Sequence, residues 1–389
     1  MRTSAQRTDH DRLLRRVEWR PDETPAGGPI EAIIVPASRR AHHLRGVVEL
    51  AADHRAVLVV LASQRCDLGE TAELVARTPG ARAVLAEVRT AGAGGLRGLA
   101  TSSERFRMLS GDRISDLSLK RNTGLLLALH RGWHKIMFLD DDIIRLGRDH
   151  LARIAHHLDT NRYAGLRSTA FPDNSVVCHA NRAIGRPQGI FVSGAALGVH
   201  TADDGSELQI FPDIYNEDWF ALAGEAGRTG VAHAGDVGQL EYNPFEDPSR
   251  AAREEFGDLL AEGLYALFND GDGLSRATEA YWQRFIRDRR GLILGIMREL
   301  EKDETSERRQ AVKSLFEALI RLDGITPADC TAFLRAWRED QRRFTRLAER
   351  ARAGRCDYPE AFAALGVTRW REVSFGYAPA LVTSASGRH

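Results

Sequence analysis

Residues 30–248 predict an α/β fold, a mixed sheet of the Rossmann-like kind, and residues 249–389 predict an α-helical domain; residues 1–29 form an arm and linker ahead of both. Three observations carry this division. Short β-branched runs alternate with helical spacing through the first half, the run Lys135-Ile136-Met137-Phe138-Leu139 ends directly in Asp140-Asp141-Asp142, and from Ser249 apolar residues recur at helical spacing only. At 389 residues the chain exceeds one ordinary core.

Taken in order, Met1 to Pro29 alternates arginines with acids, ends in Pro21, Pro25, Gly27, Gly28 and Pro29, and suits a short helix or frayed arm before a linker. Ile33-Ile34-Val35, closed by Pro36, is a first buried strand. Leu44, Val47, Val48 and Ala51 mark a helix, and Val57 to Leu61 a second strand. A helix over Glu70 to Ala76 and a strand over Arg82 to Val88 extend the alternation, and Gly92, Gly94, Gly95 and Gly98 mark a flexible loop, either a lid or a surface excursion. A helix from Leu119 to His130, stopped by Gly132, leads into the acidic strand, and Leu151, Ile154 and Leu158 share one face of the next. Strand-like pieces follow at Ser175 to Cys178 and Ile190 to Val199. The second contains Ser193-Gly194-Ala195, small residues that let a ligand approach the backbone. Asn216 is placed to cap a helix opening with Glu217 and Asp218, and Val231 to Gln239 reads as an edge strand carrying His233. Beyond Ser249 the stripes Phe256/Leu260/Leu264/Leu267/Phe268, Trp282/Phe285/Ile286/Ile293/Met297 and Val312/Leu315/Phe316/Leu319/Ile320 are core faces, and Thr326-Pro327-Ala328-Asp329 is a helix start.

Hydrophobic residues make up 43 % and charged residues 28 %, as in soluble globular proteins, and Lys plus Arg equals Asp plus Glu at 54 each, which gives no nucleic-acid signature overall. Cys66, Cys178, Cys330 and Cys356 are far apart, without metal-ligand or redox spacing, and suit free thiols in a reducing cytoplasm. No apolar run is long enough for a signal peptide or a bilayer span, so a cytoplasmic location is expected.

Chemistry concentrates at Asp140-Asp141-Asp142. In open α/β sheets ligands gather at the carboxyl ends of strands. Three adjacent acids repel, so a cation is expected to neutralise them, and alternate carboxylates on an extended chain suit Mg²⁺ or Mn²⁺. A solvated acidic strand end is the bland alternative.

The opening strand ending in Val35-Pro36-Ala37-Ser38, the helix start Lys120-Arg121-Asn122, the strand end Phe138-Leu139-Asp140-Asp141-Asp142 and the later Asn216-Glu217-Asp218-Trp219 together resemble a family-2 glycosyltransferase of the GT-A fold, across residues 31 to about 245. The resemblance implies a nucleotide-sugar donor with its base and ribose over the first strands, against Pro36, Ser38 and Arg39, and its diphosphate held by Mn²⁺ or Mg²⁺ on the triplet. A metal there stabilises the leaving diphosphate. Asp142 is the expected direct ligand, Asp140 a ribose or metal contact, and Asp141 a support for the turn. Lys120 and Arg121, at a helix start, are expected to face phosphate or base, with Asn122 and Asp116 as weaker candidates. The family's base-gripping acid after the second strand is matched only by the displaced Asp67, with Arg65 intruding.

Glu217 and Asp218 stand where the family keeps its catalytic base, Asp218 being preferred, and a carboxylate deprotonating the acceptor hydroxyl gives an inverting hexosyl transfer. Acids in a first helical turn also complement the helix dipole without catalysing anything. Trp219 and Phe220 suit an acceptor wall. His233 is placed where some relatives supply an imidazole to the metal, although a lone histidine on a strand is commonly structural. His42-His43 and His156-His157 are expected at the surface. A haloacid-dehalogenase-like phosphatase is disfavoured because Ile143-Ile144 follows the acids. A nucleotidyltransferase of related fold, which also holds a nucleoside triphosphate and a metal, is the closer alternative, although its Gly-rich signature is missing and Arg39-Arg40-Ala41-His42 stands there instead. A non-catalytic sugar-nucleotide-binding protein stays open, as does the role of the helical domain: acceptor closure, homodimer surface or partner docking.

Overall fold

The structure, a computed structural model, describes residues 9–383 apart from 17, 21–24, 90–93, 173, 204, 206 and 304. In chain order the elements are β1 (Leu14–Arg16), β2 (Ala32–Ala37), α1 (Arg45–Asp53), β3 (Val57–Ala62), α2 (Leu68–Arg77), β4 (Arg82–Glu87), α3 (Glu104–Leu109), α4 (Leu117–Arg131), β5 (Lys135–Leu139), β6 (Ile143–Ile144), α5 (Arg148–His157), β7 (Tyr163–Ser168), α6 (Val176–Ala183), β8 (Ala196–His200), α7 (Glu217–Ala226) and β9 (Val231–Gln239). Then come α8 (Ser249–Asn269), α9 (Glu279–Leu300), α10 (Ser306–Asp323), α11 (Pro327–Ala353), α12 (Tyr358–Ala364), β10 (Arg369–Ser374) and β11 (Val382–Thr383).

One mixed sheet runs β1-β9-β7-β8-β5-β2-β3-β4-β10-β11, with β6 paired to β9. Its centre, β5-β2-β3-β4, is parallel. Every residue of β2 is buried, as expected of a strand covered on both faces. Pairing of β2 with β5 ends at Ile34, so Pro36, which has no N–H to give, lies beyond that ladder. α1, α2 and α5 cover one face through Val48, Val75 and Ile154. α4 and the C-terminal helices cover the other, and Leu125, Phe138, Phe256, Trp282 and Phe333 belong to one continuous core. The helices from Ser249 therefore pack onto the sheet itself.

Helix ends follow local chemistry. Gly132, at φ 68°, ends α4 in the left-handed region where glycine carries no Cβ penalty. Thr326 and Asp329 form a reciprocal capping box at the start of α11.

Several expectations are corrected. The arm contributes β1, whose residues pair in parallel with Val231–His233, so β9 is an interior strand and not an edge. Ser175 to Cys178 is the start of α6, with the Ser175 hydroxyl accepting the Cys178 N–H; Val-Val-Cys suits either state by composition, and the cap decides it. The chain beyond Ser249 is not helical throughout, because β10 returns to pair antiparallel with β4. Phe316 and Ile320 are 53 % and 54 % exposed and do not face the core. His157 is buried, not superficial, and burial lowers its pKa to about 4. Part of the glycine-rich loop lies outside the described residues. In the part described, Gly95 is packed, a Cβ there meeting Leu347 Cδ2 at 2.6 Å, whereas Gly98 is exposed with nothing near its Cβ position. No described helix is long and apolar enough to cross a membrane.

Candidate functional site

The carboxyl end of β5 meets the start of α7, and Arg121 joins them. Its guanidinium, 2 % exposed, donates to both carboxylate oxygens of Asp140 at 3.1 Å and to Glu217 Oε1. Burial opposes the charge on Arg121, but Asp140, Glu217 and Asp218 more than offset this and raise its pKa. Gly194 makes room for the guanidinium: a Cβ there would stand 2.6 Å from Arg121 Cζ. The small residues at 193–195 thus admit a protein side chain rather than a ligand. Ser193 Oγ accepts the Ala195 N–H at 3.3 Å, and the Ala195 carbonyl accepts the Asp140 N–H at 2.8 Å.

The two acids of α7 are held differently. Glu217 has Arg121; burial, opposed by Arg121 and reinforced by Asp218, raises its pKa. Asp218 Oδ2 accepts the Gly194 N–H at 2.5 Å and Oδ1 accepts the Trp219 N–H at 2.9 Å, and no described cation stands within ion-pair distance of it. Asn216 does not cap α7. It adopts φ 63° and turns its amide to Asp258 Oδ1 at 3.1 Å, a left-handed conformation asparagine tolerates better than most residues.

These groups line a cavity of about 150 Å³ that is closed from the other side by α6 and α8. Carboxylates of Asp140, Glu217, Asp218, Asp258 and Glu262 line it against two guanidinia, Arg113 and Arg121. Trp219 forms one wall, packed on Tyr265 with ring centroids 4.3 Å apart, on His10 at 5.3 Å and on Phe191 at 5.4 Å. Asp258 is held by Ser175 Oγ at 2.6 Å and Arg289 at 2.7 Å, and Glu262 meets His10 Nε2 at 3.1 Å. Sequence reasoning missed this second acidic side. Glu254, Asp258 and Glu262 recur four residues apart on a helix otherwise placed in the core, and that signal reads equally as a solvated face.

The remaining expected donor residues are placed as follows. Asp141 Oδ2 accepts the Ser38 and Arg39 N–H groups, each at 3.0 Å, which supports the turn after β2. Asp142 Oδ2 receives Arg39 Nη2 at 3.0 Å and Gln239 Nε2 at 3.2 Å. The cations neutralising the triplet are thus Arg39 and Arg121. Lys120 does not face the strand-end acids: its ammonium bonds the Ala37 carbonyl at 2.9 Å, Ser63 Oγ at 2.7 Å and Asp116 at 3.1 Å, pinning β2 to β3, and burial lowers its pKa. α4 begins at Leu117, so the Lys120 N–H is already bonded to the Asp116 carbonyl and is not free for phosphate. Asn122 bonds both backbone groups of Phe211, at 2.8 and 2.9 Å. Asp67 is the N-cap of α2, its Oδ1 accepting from Gly69 and Glu70, and Pro36 is buried within β2.

His233 is not at the triplet. It precedes Gln239 by six residues on β9, a span of roughly 15–20 Å. Its Nε2 faces the Gly235 carbonyl at 3.0 Å and Asp236 at 3.1 Å, and burial lowers its pKa. Among the described residues no three His, Cys, Asp or Glu side chains converge as a metal site, and the two expected ligands, Asp140 and Asp142, each face a guanidinium. As arranged, this set does not fit a resident divalent ion. No family model matches the chain, and no curated protein matches it significantly.

Proposed function

We propose that the chain transfers a sugar from a nucleotide-sugar donor to an acceptor hydroxyl with inversion, on a GT-A-like sheet, with Asp218 as general base. The observation carrying this is Asp218 itself: a buried carboxylate with no cation within ion-pair distance among the described residues, held by the Gly194 and Trp219 N–H groups on the wall of a cavity at a strand's carboxyl end. Two backbone donors orient the group and leave lone pairs for a substrate proton. Glu217, pinned by Arg121, is a positioning residue that holds the start of α7 against Asp140.

The lining suits the chemistry. A transition state with oxocarbenium character carries positive charge, and surrounding carboxylates stabilise it. The same carboxylates repel a diphosphate, so the donor phosphates belong outside the cavity, on the side of Arg39, whose side chain is 31 % exposed. Trp219 offers an aromatic face to a sugar. No step runs through a metal.

Pairing of all three strand-end acids with arginine also favours a second reading, a sugar-nucleotide-binding protein without catalysis. One experiment separates the two. A panel of nucleotide sugars is assayed for hydrolysis and transfer, with and without Mn²⁺, using wild type and Asp218→Asn. For the enzyme, kcat falls by roughly 10²- to 10⁴-fold in the variant with donor affinity unchanged. Retained kcat, or a product anomer matching the donor, removes Asp218 as the base; donor binding without turnover establishes the binder.

A further inference from the structure

A second unexplained feature is at the opposite end of the sheet. Where β2, β3 and β4 begin, a cavity of about 780 Å³ opens between Glu31, Val57 and Arg82 on one side and Trp133, Tyr358 and β10 on the other. Ligand pockets of 300–1,000 Å³ are the common range. The strands are six residues long, so this cavity lies roughly 20 Å from the acidic strand ends.

Arg55, Arg82 and Arg131 line it, and none of the three forms an ion pair among the described residues, whereas Arg39, Arg89, Arg121 and Arg369 elsewhere near the sheet do. Arg82 Nη2 donates to the Arg55 carbonyl at 2.6 Å, which draws both residues to one rim. Arg131 lies over the Tyr358 ring at 4.3 Å, and Trp133 stands 6.5 Å from that ring, so an aromatic wall adjoins the cations. Of the two lining acids, Glu31 is turned to the backbone, accepting the His134 and Lys135 N–H groups, which leaves Glu372 against three guanidinia. Two lining groups also have a buried nitrogen with no protein partner: His54 Nε2 and Arg131 Nε.

We propose that this cavity is a second binding site, separate from the Asp140–Asp218 site, for a nucleoside phosphate whose base packs on Trp133 and Tyr358 and whose phosphate meets Arg55 and Arg82. Arginine forks match phosphate oxygens bidentately, and aromatic rings accept any base face. An inorganic anion uses the cations but not the wall; a nucleoside does the reverse.

Calorimetry with AMP, adenosine and inorganic phosphate tests this on the full chain. AMP is expected to bind one site, with adenosine and phosphate each weaker by about tenfold or more. The double variant Arg55→Ala/Arg82→Ala, both surface side chains, is expected to weaken AMP by about tenfold or more. Trp133→Leu, which leaves the cations in place, is expected to weaken AMP by about fivefold or more while phosphate binding holds. The variant Arg39→Ala/Asp140→Asn, altered only at the other end of the sheet, keeps AMP affinity. Absence of AMP binding, AMP affinity untouched by the Arg55/Arg82 changes, phosphate binding as tightly as AMP, or loss of AMP in the Arg39/Asp140 variant each overturns the assignment.

Discussion

The two ends of the sheet handle charge in opposite ways. At the carboxyl end Arg39 and Arg121 are both matched to carboxylates, and Asp218 is the acid with no cation within ion-pair distance; at the amino end three arginines face a cavity with no ion-pair partner, both among the described residues. The difference follows from burial. Arg121 is shut off from water, and an unpaired guanidinium there would carry a large desolvation cost, so its acids must come with it. Arg55 and Arg82 are exposed at their rim, where solvent can stabilise their charge without an ion-pair partner. Paired charge in a dry place holds the two halves of the candidate site together, whereas unpaired charge at an open cavity is available to a ligand.

The sharpest way to break this contrast is to remove the dry cation. Arg121→Met takes away the guanidinium that joins Asp140 and Glu217, and a loss of about 3–5 kcal/mol in unfolding free energy is expected from denaturant titration at neutral pH. Adding Glu217→Gln should restore part of it. A second variant that is no more stable than the first would show that Arg121 acts through packing, not charge.

Gly194→Ala tests the same contact sterically. Its Cβ would meet Arg121 Cζ at 2.6 Å, so a loss of about 1–3 kcal/mol is expected, along with impaired activity because the Asp218-bonding N–H shifts. A thermal midpoint equal to that of wild type would mean the guanidinium has other room.

Asp159 tests how the arm is held. Its carboxylate bonds Lys135 and the Ala26 and Gly27 N–H groups, and although burial opposes its charge these bonds lower its pKa below the usual 3.8. The unfolded chain therefore binds this proton at higher pH than the folded one. The contribution is complete above about pH 4 and lost as pH falls through the folded value. Asp159→Asn is expected to cost about 1–2 kcal/mol at pH 7 and to flatten the acid limb of the stability curve. An unchanged acid limb would assign the acid sensitivity to other carboxylates.

The smallest expected change in stability is at the partly exposed Arg39. Arg39→Ala should cost about 1 kcal/mol or less, yet it frees Asp141 and Asp142 of their cation, so Mn²⁺ should bind more tightly to the variant than to wild type by calorimetry. Equal or weaker Mn²⁺ binding would mean that Arg39 does not compete for the acids.

Neighbours along the chain set one part of this protein. The buried runs of β2, β3 and β5, the stop at Gly132, the Thr326 capping box and the placing of Asp140 to Asp142 at a strand end follow from side-chain period, φ preference and composition within a few residues. Tertiary structure alone decided the partners. β1 is three residues with two arginines, and β10 pairs with β4 across nearly 300 residues, so neither shows locally. Asp258 and Glu262 line the candidate site only because α8 packs across it, and Lys120 and Arg121, adjacent in sequence, are sent to different strand ends by the turn of a helix that begins earlier than its apolar pattern suggests. Secondary structure is selected by local sterics and burial period. Which charge neutralises which is selected by the desolvation of groups that meet only in the folded chain.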